Sequence, residues 1–344
     1  MTYRLKSALI IVVLLLLLTA TPIITLANPP RFSAPSGFYL VSSATGVELY
    51  RKDYPGGTPD FVQVVALNQG AQVRLLHGEI SEQRTGQGAY GGDDPKIESQ
   101  RLKKYWNSIA AQSPNAFCVS NGQFFFMQES PTRLPFPLKV GGIIVSDGYG
   151  KKDFPGQQLM LELWNDKADI KVLTKDDLYT SSAPNIVVGL AEDARKSPTK
   201  YVARTFMGVD DRNGDGRFET VLVFNTKSAR QKDAAQVLRD FGAEKVMMLD
   251  GGGSTQLFCQ DSSYVNSDRL IPQAVAVIAG DGSINSGQQA AVFGISDSRE
   301  ISPIEQTQSE INLNDTIWIL FAALPVALIM VLAISRIERR VYYY

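Results

Sequence analysis

Residues 220–255 read TVLVFNTKSARQKDAAQVLRDFGAEKVMMLDGGGST. Thr220–Phe224 is a β-branched, apolar run that predicts a strand. Ser228 and Gln231 have the spacing of a capping box, in which hydroxyl and side-chain amide satisfy exposed N–H groups at a helix start. The helix continues through Ala235, Val237, Leu238 and Phe241, and Gly242 offers a left-handed stop. Lys245–Leu249 predicts a second strand, running into Asp250 and three glycines. Upstream, Phe61–Leu67 and Gln72–Leu76 are apolar runs around Asn68-Gln69-Gly70 and predict a hairpin. Thr85–Asp94 is a glycine-rich loop. Pro95–Gln112 predicts a helix, because Ile97, Leu102, Tyr105, Trp106 and Ile109 recur near a 3.6-residue period. Phe117–Ser120 predicts a buried strand, and Lys139–Val145 another, followed by a turn at Asp147-Gly148. The expected fold class is α+β, with a large curved mixed sheet and flanking helices.

The chain ends differ from this body. Arg4 and Lys6 precede the uncharged run Ala8–Leu18, and Ala27 follows, the pattern of a secretory signal peptide or an anchor over residues 1–27. Ile317–Ile334 is long enough to span a bilayer, and Arg336, Arg339 and Arg340 follow it. The expected organisation is a globular domain over 32–295, a polar stalk over 296–316, a transmembrane helix over 317–335 and a cytoplasmic tail over 336–344. Basic residues at both ends put the globular domain outside the cytoplasm, held at the cell membrane through the C-terminal helix.

Composition removes several functions. With 34 basic and 35 acidic residues the net charge is −1, so nothing favours a nucleic-acid backbone as partner. One histidine and two cysteines exclude His-rich zinc sites, Cys₄ sites and CxxC redox pairs. No GxSxG elbow is present, and His77 reads as strand-edge packing. No motif asks for an organic cofactor.

Three motifs carry chemistry. In Asp250-Gly251-Gly252-Gly253-Ser254-Thr255, glycines after a buried strand permit positive φ and close approach of a ligand, and consecutive N–H groups suit phosphate oxygens. Asn121-Gly122 follows a strand between apolar runs, where a buried amide needs partners. Asp211, Asn213, Asp215 and Glu219, with the peptide oxygen of Arg217, have the spacing of oxygen ligands around a structural Ca²⁺. The twelfth-position acid of an EF-hand is missing, since Leu222 stands there, and a strand follows; the loop resembles a calcium-binding hairpin.

The order of Asn121-Gly-Gln-Phe-Phe125, Arg204-Thr205, Leu238–Ala243, Met248–Thr255 and Arg269–Ala274 resembles the phosphodiester glycosidase domain family, over roughly Gly46–Gly280. Its bacterial members are tied to exopolysaccharide. The resemblance implies hydrolysis of the bond between a sugar's anomeric carbon and a phosphodiester. It carries Asn121, Gly122, Arg204, Asp250, Gly251, Gly252 and Ser254 over as site residues. Asp250 leads as the catalytic carboxylate, Arg204 offers a bidentate fork to phosphate, and Glu129 and Asp147 read as solvated acids. Gln123 departs from the family's small residue or Thr. A non-catalytic, Ca²⁺-dependent polysaccharide-binding module is the alternative. Cys118 and Cys259 flank the motifs on strands that should converge in an exported domain, which predicts a disulfide, with two buried free thiols as the alternative.

Overall fold

The computed structural model describes residues 34–281. In chain order its strands are β1 (Tyr39–Ala44), β2 (Val47–Lys52), β3 (Asp60–Ala66), β4 (Gln72–His77), β5 (Ile80–Glu82), β6 (Lys96–Ile97), β7 (Ala116–Asn121), β8 (Leu138–Val140), β9 (Ile143–Ser146), β10 (Gln158–Leu163), β11 (Ala168–Val172), β12 (Asn185–Leu190), β13 (Val202–Asp210), β14 (Thr220–Ala229), β15 (Lys245–Met248), β16 (Leu257–Cys259), β17 (Ser262–Val265) and β18 (Gln273–Ile278). Three α-helices accompany them: α1 (Leu102–Gln112), α2 (Lys175–Thr180) and α3 (Gln231–Asp240).

The expected α+β class with a mixed sheet is corrected: the described fold is mostly strand, and every ladder in it is antiparallel. The large sheet runs β1-β2-β3-β14-β13-β15-β12-β10-β11, with β8 paired to β12 and β9 paired to β8. The small sheet runs β17-β16-β7-β18-β4. The β14–α3–β15 unit explains the miss. Its two strands point the same way, but β13 lies between them and pairs antiparallel with both. The crossover therefore skips a strand, and no parallel ladder forms.

Burial follows the period-2 alternation of a sheet covered on both faces. Val221 and Val223 of β14 face one core with Met207, Val209 and Met247. That core also takes Val275 and Val277 of the small sheet, so the two sheets pack face to face. Leu222 and Phe224 face the opposite side, against Ala234, Leu238 and Phe241 of the α3 region. On the outer face of the small sheet, Leu102, Tyr105, Trp106 and Ile109 of α1 cover Val119, Phe258, Ala274 and Ala276. The layer order is helix, large sheet, small sheet, helix.

Local expectations shift in instructive ways. The apolar runs at 61–67 and 72–76 are strands but not a hairpin: β3 joins the large sheet and β4 the small one, through a 3₁₀ turn at Leu67–Gln69. Pro95–Gln112 is helical only from Leu102, because Ile97 is drawn into β6 and bridges Thr132. Residues 139–145 fold as two short strands around Gly141 and Gly142, both at positive φ. The capping box does not form. Strand β14 runs on to Ala229, Arg230 takes the N-cap position, and the Gln231 amide donates to the carbonyls of Glu192 and Ala194. Gly242, at φ 105°, does stop the helix in the left-handed region.

The expected C-terminal transmembrane helix is not borne out: among the described residues no helix is long and apolar enough to cross a membrane, and the 317–335 run lies outside them. The signal or anchor segment 1–27, the stalk 296–316 and the tail 336–344 also lie outside the described residues.

Candidate active site

The glycine motif is where the chain leaves one sheet for the other. Strand β15 ends at Met248 in the large sheet, and β16 begins at Leu257 in the small one. Between them Gly252–Ser254 form a 3₁₀ turn. Gly252 needs its hydrogen side chain for the backbone, at φ 58°, whereas Gly253 needs it for space. A Cβ on Gly253 would lie 2.9 Å from Nε of Arg269.

Asn121, at the end of β7, fastens this crossover from behind. It is 0 % exposed. Its amide donates to the Asp250 carbonyl at 2.7 Å, and its Oδ1 accepts from the Gln256 N–H at 3.1 Å and the Thr205 hydroxyl at 2.8 Å. One buried side chain thus ties β7, β13 and both ends of the glycine loop. Gly122 receives the Gln273 side chain where its own Cβ would be, and Gln273 Oε1 accepts from the Gln123 N–H. Beside them Cys118 and Cys259 face each other on paired β7 and β16, joined as a disulfide.

In front of the crossover is a cavity of about 410 Å³, within the size range of small-molecule sites. Asp250, Gly251, Gly252, Gly253 and Ser254 form part of its wall. Phe124, Phe136, Tyr149 and Phe154 form an apolar side, and Lys196 and Arg269 bring positive charge. Neither Lys196 nor Arg269 has a carboxylate within salt-bridge distance among the described residues. Burial pushes the Asp250 carboxyl from 3.8 up to about 6. Hydrogen bonds from Ser254 and the Gly251 N–H, and the charges of Lys196 and Arg269, hold it back from rising further.

Arg204 lines the cavity, but its guanidinium is committed. It is 3 % exposed and donates to the carbonyls of Ala229 at 3.2 Å, Lys196 at 3.0 Å, Ser197 at 2.6 Å and Lys200 at 3.3 Å. It holds the 196–200 segment, and through it Lys196, in place. Burial lowers its pKa from the ordinary arginine value. The backbone beside it approaches the glycine loop so closely that a Cβ on Gly251 would lie 2.7 Å from the Ala203 carbonyl.

The structure brings Asp250, the three glycines, Ser254 and Arg204 to one cavity and puts Asn121, Gly122 and Thr255 behind its wall. Three N–H groups of the glycine motif are already bonded within it. The N–H groups of Gly251, Ser254 and Thr255 donate to Asp250 Oδ1, Gly251 O and Gly252 O respectively. Lys196 and Arg269 are the cations that sequence reasoning gave no role. They come from the β12–β13 and β17–β18 loops; Lys196 carries no local signal, and Arg269 is marked only as the start of the Arg269–Ala274 stretch in the family resemblance. Two expected solvated acids differ from each other: Glu129 pairs with Arg133 at 3.4 Å, while Asp147 is 0 % exposed and accepts from the Tyr179 hydroxyl at 2.7 Å. His77 ends β4, with Nδ1 2.7 Å from the Gly78 carbonyl, away from the cavity wall.

The calcium loop joins β13 to β14. Oxygen atoms of Asp211, Asp215 and Glu219 lie within 4.8 Å of one another. Asn213 Oδ1 accepts from the Asp215 N–H, and the Arg217 side chain pairs with Asp166.

Residues 114–278 match the phosphodiester glycosidase family. The chain is also similar to solved structures. The catalytic domain of zebrafish N-acetylglucosamine-1-phosphodiester alpha-N-acetylglucosaminidase, auto-inhibited by its pro-peptide, is 15 % identical, covering 70 % of this chain and 81 % of that one, with a TM-score of 0.42. A hypothetical protein from Synechocystis is 11 % identical over 70 % and 64 %, with a TM-score of 0.40. A putative exported protein from Burkholderia pseudomallei is 11 % identical over 70 % and 75 %, with a TM-score of 0.35. No curated protein matches the chain. The family match spans Asn121, Arg204, Asp250 and Arg269 and supports a phosphodiester glycosidase hydrolase.

Proposed function

We propose that the chain hydrolyses a sugar-1-phosphodiester in a glycan or glycolipid outside the cytoplasm, cutting between the anomeric carbon and phosphate. The observation that carries this reading is a single cavity holding Asp250, with its raised carboxyl, beside Lys196 and Arg269, two cations without a salt-bridged carboxylate among the described residues. Glycoside cleavage passes through an oxocarbenium-like state, which a nearby carboxylate stabilises or attacks. Phosphate leaves without strong acid assistance, and two cations lower the cost of the charge it carries away. Asp250 at about 6 is largely ionised near neutral pH while remaining basic enough to activate water. Asp153 is a second carboxylate on the cavity wall. The aromatic side offers flat faces to a sugar ring. Asn121 and Arg204 act as positioning residues, holding the glycine loop and the Lys196 segment.

The disulfide in the small sheet supports an extracytoplasmic setting, since such bonds persist in oxidising compartments. The test is release of reducing sugar from a panel of sugar-1-phosphodiesters. Turnover by the parent chain that falls at least about 100-fold in Asp250→Asn, with substrate binding retained, supports the reading. Binding without turnover by the parent chain refutes it and leaves a polysaccharide-binding module.

A further inference from the structure

The 211–219 loop takes no part in the chemistry above. Arg204 and Asp210 lie at opposite ends of β13, and six residues at about 3.3 Å each separate the loop from the cavity by roughly 20 Å. Yet the loop concentrates negative charge. Asp211, Asp215 and Glu219 hold oxygens within 4.8 Å of one another, and like charges that close repel. No basic side chain relieves them among the described residues: adjacent Arg212 pairs with Asp210 at 2.9 Å and Arg217 with Asp166 at 2.5 Å.

Glu219 is the informative member. It is 5 % exposed, and its Oε2 has no hydrogen-bond partner among the described residues. A buried carboxylate oxygen without a donor is costly to hold, and a cation in the loop would satisfy it.

We propose that the loop binds one Ca²⁺ through the carboxylates of Asp211, Asp215 and Glu219, with Asn213 Oδ1 and the Arg217 carbonyl as further oxygen donors. The donor set is all oxygen, which selects a hard cation over zinc or copper. An irregular loop suits the larger, more tolerant shell of Ca²⁺ better than the strict octahedron of Mg²⁺. The ion would act as a clamp. The loop caps the β13–β14 hairpin, and Phe218 bridges Ala168 while Arg217 reaches Asp166, so fixing the loop also fixes the β10–β11 turn.

The test uses the full exported chain stripped with EDTA and titrated with Ca²⁺ alone. Calorimetry should give one site per chain. At a hundredfold excess over Kd the melting temperature should rise by about 5–10 °C. Glu219→Gln should weaken binding at least tenfold, with unchanged circular dichroism. The parent chain decides the matter even where the variant fails to fold. No heat and no thermal shift at about 10 mM Ca²⁺, well above the range of weak extracellular sites, would overturn the proposal. Equal affinity in a folded Glu219→Gln variant, or an equal shift with Mg²⁺ at the same concentration, would overturn it as well.

Discussion

Replacing Asp250 with Asn should abolish turnover and stabilise the fold above pH 6. The carboxyl is held at about 6 against an ordinary 3.8, and burial is the leading cause. That difference corresponds to about 3 kcal/mol between the neutral and charged forms. The sign follows from proton uptake. Between pH 3.8 and 6 the folded chain holds the proton more tightly than the unfolded chain, so stability is full below the unfolded value and is lost as pH rises through the folded one. Asparagine carries no such charge and can keep an oxygen for the Gly251 N–H, now 2.9 Å from Asp250 Oδ1. The variant and the parent should therefore be equally stable at pH 3.5. They should diverge through pH 4–6 and differ by up to about 3 kcal/mol in favour of the variant at pH 8. Urea denaturation of both chains across this range, with the disulfide intact, measures the difference directly. A gap that does not change with pH, or a variant less stable than the parent at pH 8, would refute the burial argument. This is the trade expected of a functional group kept charged in an apolar wall.

Four further outcomes follow from particular contacts. Lys196→Gln and Arg269→Gln should each raise KM by roughly 10–100-fold, the equivalent of about 1–3 kcal/mol, with increasing salt weakening the parent more than the variants; steady-state kinetics at two ionic strengths checks this. Arg204→Lys should cost about 2–3 kcal/mol of stability, because an ammonium cannot reach the four carbonyls its guanidinium joins, and thermal melting reads it. Gly122→Ala drives a methyl into the buried Gln273 amide and should cost more than Gly252→Ala, whose Cβ meets open space and pays only the left-handed backbone, about 1 kcal/mol; paired denaturation curves rank them. Reducing the Cys118–Cys259 bond, which spans a sequence separation of 141, should lower stability by about 4–5 kcal/mol in the chain-entropy model, seen as a drop in melting temperature with dithiothreitol.

The sequence alone determined those features whose cause is local. Apolar runs such as Val221–Phe224 and Val246–Met248 are strands because both faces are buried, and no partner need be known to say so. Gly242 stops a helix because only glycine adopts φ 105° without strain. The acid-glycine run after a buried strand marked the cavity wall, since few other roles need three glycines beside Asp250. Tertiary structure decided everything that depends on who neighbours whom. It put β13 between β14 and β15, which turned an expected mixed sheet into an antiparallel one. It separated β3 from β4 into different sheets. It spent the Arg204 guanidinium on carbonyls four to eight and twenty-five positions away, and it brought Lys196 and Arg269, 73 positions apart by number, to the same cavity. A guanidinium or ammonium exerts its effect through space, over a few ångströms of low-dielectric cavity, and the chain gives no local sign of the charges that will end up beside it.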